Sequence, residues 1–189
     1  MWDFSNQKKN CINILTLLYC YNLDDTSYYW LAIYTKARAE KKVYEELRLK
    51  GIEAYLPLRK ELRQWSDRKK WVETPVIHSY VFVHIPMADY RKVFESKGVV
   101  SYVSYKGKAV IIPGREIEAM RRTVESNLSF NVETSTIQKG QTVTIASGPL
   151  QGITGEVIEV QGTKKFYLRI SQIGYTLVVN LEDETSIDN

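Results

Sequence analysis

Apolar and polar positions recur with different periods along the chain, and each change of period marks an element. Tyr28–Tyr34 is a short aromatic and apolar run that predicts a buried strand. From Lys36 to Lys50 the spacing is helical, with Ala39, Val43, Tyr44 and Leu47 on one side and Arg38, Lys41, Lys42 and Glu45 elsewhere. Gly51 supplies a left-handed stop, and Ile52–Leu56 predicts a second strand ended by Pro57. Arg59 to Pro75 is basic, carries Trp65 and Trp71, and centres on Ser66-Asp67-Arg68-Lys69-Lys70, the pattern of a protruding hairpin with a charged tip. Val76–Ile85 is the longest apolar strand. Asp89–Lys97 predicts a short helix with Tyr90, Val93 and Phe94 inward and Gly98 as its stop. Val99–Tyr105 and Ala109–Ile112 predict a hairpin around Lys106-Gly107-Lys108. Pro113 and Gly114 then open a last helix with Ile117, Met120, Val124 and Leu128 at helical spacing.

The order β-α-β-hairpin-β-α-β-β-α predicts an α/β sandwich on a mainly antiparallel sheet. After Leu128 the texture changes. Ser129–Ile137 is polar and without apolar periodicity, and is read as a linker. Beyond it come short β-branched runs parted by glycines: Gln141–Ala146, Ile153–Val160, Phe166–Ile170 and Tyr175–Asn180. Strands of that length and spacing predict a small all-β barrel, so the fold class expected is α+β. The division expected is an extension over residues 1–26, a first domain over 27–128, a linker over 129–137 and a second domain over 138–189.

Charge divides the chain along similar lines. Residues 27–130 carry a net charge of +8, residues 131–189 carry −3 and residues 1–26 carry −1. Only the middle segment is suited to a polyanion, and the alternative is a solvated basic face with no partner. Hydrophobic content of 44% with 25% charged residues excludes wholesale disorder. The two cysteines, Cys11 and Cys20, make no disulfide framework, so a reducing cytoplasm is expected. Lys8 and Lys9 precede the apolar run Cys11–Tyr21, which superficially resembles a signal peptide. Asn13 and Thr16 interrupt that run, no small-residue cleavage site follows, and it is shorter than the roughly 20 apolar residues of a membrane span. It is read as a poorly specified extension.

Several stretches resemble a known family. Tyr29-Trp30-Leu31-Ala32-Ile33-Tyr34-Thr35 followed by Glu40–Leu49 resembles the opening of the NusG N-terminal domain, and Ser79-Tyr80-Val81-Phe82-Val83 resembles its central strand. Gly98–Val103 through Ile112-Pro113 and Glu116–Met120 resembles its closing hairpin and helix, so the likeness runs from residue 28 to about 127. Lys139–Ile145 and Ser147–Val157, with glycines at 148, 152 and 155, are similar to a KOW module, an SH3-like barrel. Arg63–Glu73 resembles the UpxY-like members, antiterminators of capsular polysaccharide operons. One departure is visible. Where the family often has Phe-Pro-Gly or Phe-Pro-Asn before the central Tyr, this chain has Ile77-His78-Ser79.

The resemblance implies a transcription antitermination and elongation factor that binds the clamp of RNA polymerase and catalyses nothing. Implied contacts with polymerase are Tyr80 and Phe82, with Ile77 and His78 at the lip. Strand alternation sets His78, Tyr80, Phe82 and His84 on one face and Ile77, Val81, Val83 and Ile85 on the other; the competing reading of Tyr80 and Phe82 is as core aromatics. Lys36, Arg38, Lys41 and Lys42 are implied to face upstream or non-template DNA, with Arg68, Lys69 and Lys70 as further nucleic-acid candidates. For the first set the alternative is a solvated helix face paired with Glu40 and Glu45. Trp65 and Trp71 are read as a cross-hairpin pair that stabilises the arm. In the second domain Gly148, Pro149, Leu150, Gly152 and Gly155 form the KOW turn, with Leu150 exposed as a contact for a ribosomal protein or for Rho. His78 and His84 have neither cysteines nor carboxylates at ligand spacing, so no metal is expected. There is no Gly-rich phosphate loop, nucleophile elbow or paired-carboxylate motif, so no catalysis and no cofactor are expected. A monomer with no membrane association completes the reading. The alternative is a KOW-containing RNA-binding protein of the translation apparatus, which would concentrate basic charge on the second domain.

Overall fold

Tyr28–Thr35 forms β1, and the first sheet is arranged around it. The structure is a computed structural model that describes residues 26–189 except 65–66, 127, 129, 134–140, 161–162, 171, 181–186 and 189. The extension read over residues 1–26, Cys11 and Cys20 included, lies outside the described residues apart from Thr26. After β1 come α1 (Glu40–Leu49), β2 (Glu53–Tyr55), the hairpin strands β3 (Leu58–Gln64) and β4 (Lys69–Pro75), and β5 (Tyr80–Pro86). Two short 3-10 turns, Met87–Asp89 and Lys92–Glu95, lead to β6 (Val99–Tyr102), β7 (Ser104–Tyr105), β8 (Lys108–Ala109) and β9 (Ile111–Ile112). Then follow α2 (Gly114–Glu125), β10 (Phe130–Glu133), β11 (Gln141–Ile145), β12 (Thr154–Val160), β13 (Thr163–Ile170), β14 (Tyr175–Asn180) and β15 (Ile187–Asp188). By contacts the chain divides into two compact units, Met1–Tyr55 with Ser79–Ile111 and Leu56–His78 with Ile112–Asn189.

In the first unit the sheet runs in the order β2-β5-β1-β6 with antiparallel pairs along it, and β9 pairs with β1 off that path. Leu31, Ile33, Val81 and Val83 are fully buried on one face, as are Val43 and Leu47 of α1, which packs against β2 and β5. Gly51, at φ +74°, ends α1 as expected: its N–H donates to Arg48 O and the Ile52 N–H to Leu47 O, both at 3.0 Å, which is the Schellman arrangement. The segment expected as a second helix is instead the pair of 3-10 turns, held by Tyr90 stacked on Tyr102 at 4.0 Å. Burial raises the phenol pKa of Tyr90 to about 12. Phe94, expected inward, is exposed and meets Tyr102 edge-on at 5.4 Å. Gly98 is no left-handed stop either. A Cβ there would collide with the Val43 side chain, so glycine permits close approach to α1.

In the second unit six strands form one antiparallel sheet, in the order β10-β14-β13-β12-β11-β15. Phe166, Leu168, Ile170, Leu177 and Val179 fill its core. β10 corrects the reading of residues 129–137 as a linker: Phe130–Glu133 pairs with β14 and Phe130 is buried, so polar side chains there sit on a paired backbone. Residues 134–137 of that reading lie outside the described residues. α2 ends at Glu125, which leaves Leu128 beyond the helix, and it buries Ile117, Ala119, Met120 and Thr123. It packs against β13. No helix among the described residues is long and apolar enough to cross a membrane.

Candidate functional site: an aromatic sheet face, two basic sets and a glycine-rich turn

The antiparallel register of β1 and β5 places Trp30 opposite His84, Ala32 opposite Phe82 and Tyr34 opposite Tyr80, all on the face away from α1's aliphatic contacts. Its margins are half-buried. Trp30 stacks on His84 with ring centres 4.8 Å apart, Tyr34 meets Tyr80 edge-on at 5.6 Å, and His84 Nδ1 lies 2.7 Å from Glu53 Oε2. Phe82 at the middle is 0% exposed and lies over Tyr55 at 6.2 Å. Of the expected polymerase contacts, Tyr80 therefore remains accessible, whereas Phe82 has become a core residue. Ile77 is buried as well, and His78 is exposed in the second unit, where it lines a groove with Arg59, Arg63 and Tyr175.

The strand expected over Val76–Ile85 starts only at Tyr80, and the reason is Ser79. Its φ is +64°, which breaks the extended run, so Ile77 and His78 do not continue the alternation of β5. Ser79 donates its N–H to Glu40 Oε1 at 2.7 Å and accepts from the Thr35 N–H at 2.8 Å. Ser79 thus takes a conformation that Gly and Asn adopt more readily than other residues. Sequence reading missed Trp30, Tyr34 and Glu53 on this face. Alternation in β1, extended across the sheet, was the signal that could have found the first two.

Lys36, Arg38, Lys41 and Lys42 are all exposed, starting where β1 leaves Tyr34 and continuing into α1. Arg38 stands at φ +63° in the turn before the helix. Glu40, one of the acids that the alternative reading pairs with this set, is buried and accepts from the Ser79 N–H; Lys42 has Glu46 at 3.9 Å. Glu46 accepts the Ser96 hydroxyl at 2.5 Å, and that bond is the main cause of its lowered pKa. Arg68, Lys69 and Lys70 are exposed too, but they belong to the second unit.

On the hairpin, Trp71 is opposite Leu62 in the register; Trp65, read as its partner, lies outside the described residues. Arg59 donates to Glu61 Oε1 from Nε at 3.1 Å and Nη2 at 2.6 Å, lowering the Glu61 pKa, and its guanidinium lies over the Phe130 ring.

In the turn between β11 and β12, Gly148 and Gly152 have φ of +87° and +79°, backbone angles that other residues would strain to adopt. Gly155 instead allows close packing: a Cβ there would strike the Phe166 ring. Leu150 corrects the reading of an exposed contact. It is 0% exposed, tucked beneath a turn closed by the Gly152 N–H donating to Ile145 O at 2.7 Å. The residues that face outward there are Gly148, Pro149, Gln151 and Gly152, and Arg122 of α2 donates to Gln151 O at 3.0 Å. Among the described residues no three His, Cys, Asp or Glu side chains are grouped to hold a metal ion.

The class of protein is defined by a mixed helix and antiparallel-sheet unit, accompanied by a small sheet of six antiparallel strands. Residues 28–121 match the family described as transcription termination factor NusG, so the chain carries a NusG-family domain. A solved structure described as domain interaction in Thermotoga maritima NusG is similar at 24% identity and a TM-score of 0.49, covering 82% of this chain and 94% of that one. No curated protein matches.

Proposed function

We propose that this chain is a transcription elongation and antitermination factor that holds the clamp of RNA polymerase through the aromatic face around Tyr80. The observation that supports this reading is the half-buried set Trp30, Tyr34, Tyr80 and His84 within the segment that matches the family. Aromatic rings left partly open, with polar atoms at their edge, suit a protein contact better than a sealed core does. Lys36, Arg38, Lys41 and Lys42 neutralise phosphates of upstream or non-template DNA, in a salt-sensitive and sequence-independent manner. Preferential binding to the elongating conformation biases the enzyme against paused and termination-prone states, with no catalysis by this chain.

The finer parts of the proposal rest on the resemblance. The hairpin likeness to UpxY-like members favours action at particular operons, polysaccharide loci among them. The residues from 138 onward act as a KOW domain that recruits a ribosomal protein or Rho through the outer residues of the Gly148–Gly152 turn. The factor works as a monomer in the cytoplasm.

The test is retention of core RNA polymerase and of an assembled elongation complex by the purified full chain across a salt series. Retention at moderate salt that Tyr80→Ala removes is the expected result. Absence of polymerase binding together with capture of ribosomal particles would transfer the chain to the translation apparatus.

A further inference from the structure

We infer that one face of the β3–β4 hairpin is a stacking platform for an unpaired stretch of DNA, with Trp71 as the residue that takes a base. Trp71 is 66% exposed and its register partner Leu62 is 48% exposed, so the pair makes an apolar step on an otherwise charged arm. Alternation places Lys60 and Glu73 on one side of that step and Gln64 and Lys69 on the other, all on the same face. Lys60 and Lys69 are exposed and form no ion pair among the described residues, whereas Arg59 and Arg63 both lie against Glu61. The hairpin from Leu58 to Pro75 has a net charge of +3. Of its remaining cations at the tip, Arg68 lies 4.0 Å from Asp67 and Lys70 stands on the opposite face by alternation.

The chemistry that fits this face is an aromatic surface with a cation about 7 Å to either side along the strands, the two-residue repeat of an extended chain. A polyanion whose π-faces are free satisfies both halves at once: the phosphates meet Lys60 and Lys69 while a base lies on the indole. A duplex satisfies only the first half, because its bases already stack on one another. An acidic peptide would satisfy the charge and leave the indole with no planar partner. The choice of DNA over RNA rests on the proposed function, in which Lys36, Arg38, Lys41 and Lys42 of the same chain already engage DNA. The site goes beyond that reading in giving a second, base-stacking contact separate from the phosphate contacts of Lys36, Arg38, Lys41 and Lys42.

The experiment is fluorescence anisotropy of labelled oligo(dT), oligo(rU) of equal length and a duplex, each titrated with the full chain and its variants, with polymerase retention measured in parallel. Oligo(dT) is expected to bind more tightly than either the duplex or oligo(rU). Trp71→Ala should weaken oligo(dT) binding about tenfold, Trp71→Phe should retain most of it, and neither should alter polymerase retention. Lys60→Ala with Lys69→Ala should reduce the slope of log affinity against log salt by about 1.4. Oligo(dT) binding unchanged by Trp71→Ala, or duplex bound as tightly as oligo(dT), overturns the platform; tighter binding of oligo(rU) overturns the assignment to DNA. Polymerase retention without oligo(dT) binding would refute this site alone, and oligo(dT) binding without polymerase retention would refute the proposed function alone.

Discussion

Glu40 Oε1 accepts the backbone N–H of Ser79 at 2.7 Å, tying the first turn of α1 to the residue that launches β5. The carboxylate sits at the helix N-terminus, where the backbone dipole favours negative charge, and the carbonyl of the same serine takes the Thr35 N–H. The start of the aromatic face is therefore fixed by a buried acid 39 residues away in sequence.

Removing that acid leaves a backbone N–H unpaired. Glu40→Ala should lower the unfolding free energy by about 2 kcal/mol, the usual loss for a hydrogen bond to a charged group. Ser79→Gly should act in the opposite direction. Relief of a left-handed φ outweighs the extra freedom of the unfolded glycine, for a net gain of about 0.5–1 kcal/mol. Urea denaturation of the two variants measures both; a Ser79→Gly chain no more stable than its parent would show that φ +64° carries no strain there.

Tyr80 and Phe82 separate contact from core. Phe82→Ala empties a fully buried position and should cost about 3–5 kcal/mol, so any loss of polymerase binding it causes is confounded by unfolding. Tyr80→Ala, on the half-buried rim and edge-on to Tyr34, should cost about 1–2 kcal/mol, well below the Phe82→Ala loss, while weakening retention. Thermal melts beside the pull-down check this, and a large drop in stability for Tyr80→Ala would place that ring in the core as well.

Much of this arrangement was legible in local pattern. The period of β1 and α1, the stop at Gly51 and the positions of β11 to β14 follow from residue spacing, because each depends on neighbours a few places away. What escaped depends on distant partners. Nothing local to Ser79 announces a left-handed residue held by Glu40, and nothing near Gly98 announces the Val43 side chain against it. Leu150 read as exposed because turns usually are, yet the turn folds over its own apolar residue. β10 escaped because its pairing with β14 is made by backbone groups that a polar sequence leaves unmarked.

Two glycines of the first unit should respond differently to the same change. Gly98→Ala drives a methyl group into Val43 and Ala39, an overpacking that should cost about 1–3 kcal/mol. Val43→Ala in the same chain should recover part of that loss, so the double-mutant cycle shows a favourable coupling. Gly51→Ala meets no atom, but its φ of +74° should still cost about 1 kcal/mol, with no rescue by Val43→Ala. Additivity in the Gly98 and Val43 cycle would mean that the contact does not limit packing.

Glu116, in the first turn of α2, gives the pH dependence. Burial raises its pKa above the ordinary carboxylate value, Arg115 opposes the shift only in part, and its buried Oε2 has no hydrogen-bond partner. A raised pKa in the folded state means that folding favours the protonated acid. The native chain therefore loses stability as pH rises from the unfolded carboxylate value through the folded one, and the full penalty applies at neutral pH. Glu116→Gln removes the charge without changing the shape, so it should be more stable than the parent at pH 7, with the advantage shrinking as acidification protonates the parent's carboxyl. Urea midpoints of both chains at pH 7 and at successive steps down through the carboxylate range provide the measurement. An advantage independent of pH would assign the gain to packing, and a variant weaker at pH 7 would mean that the helix dipole and Arg115 outweigh burial at this position.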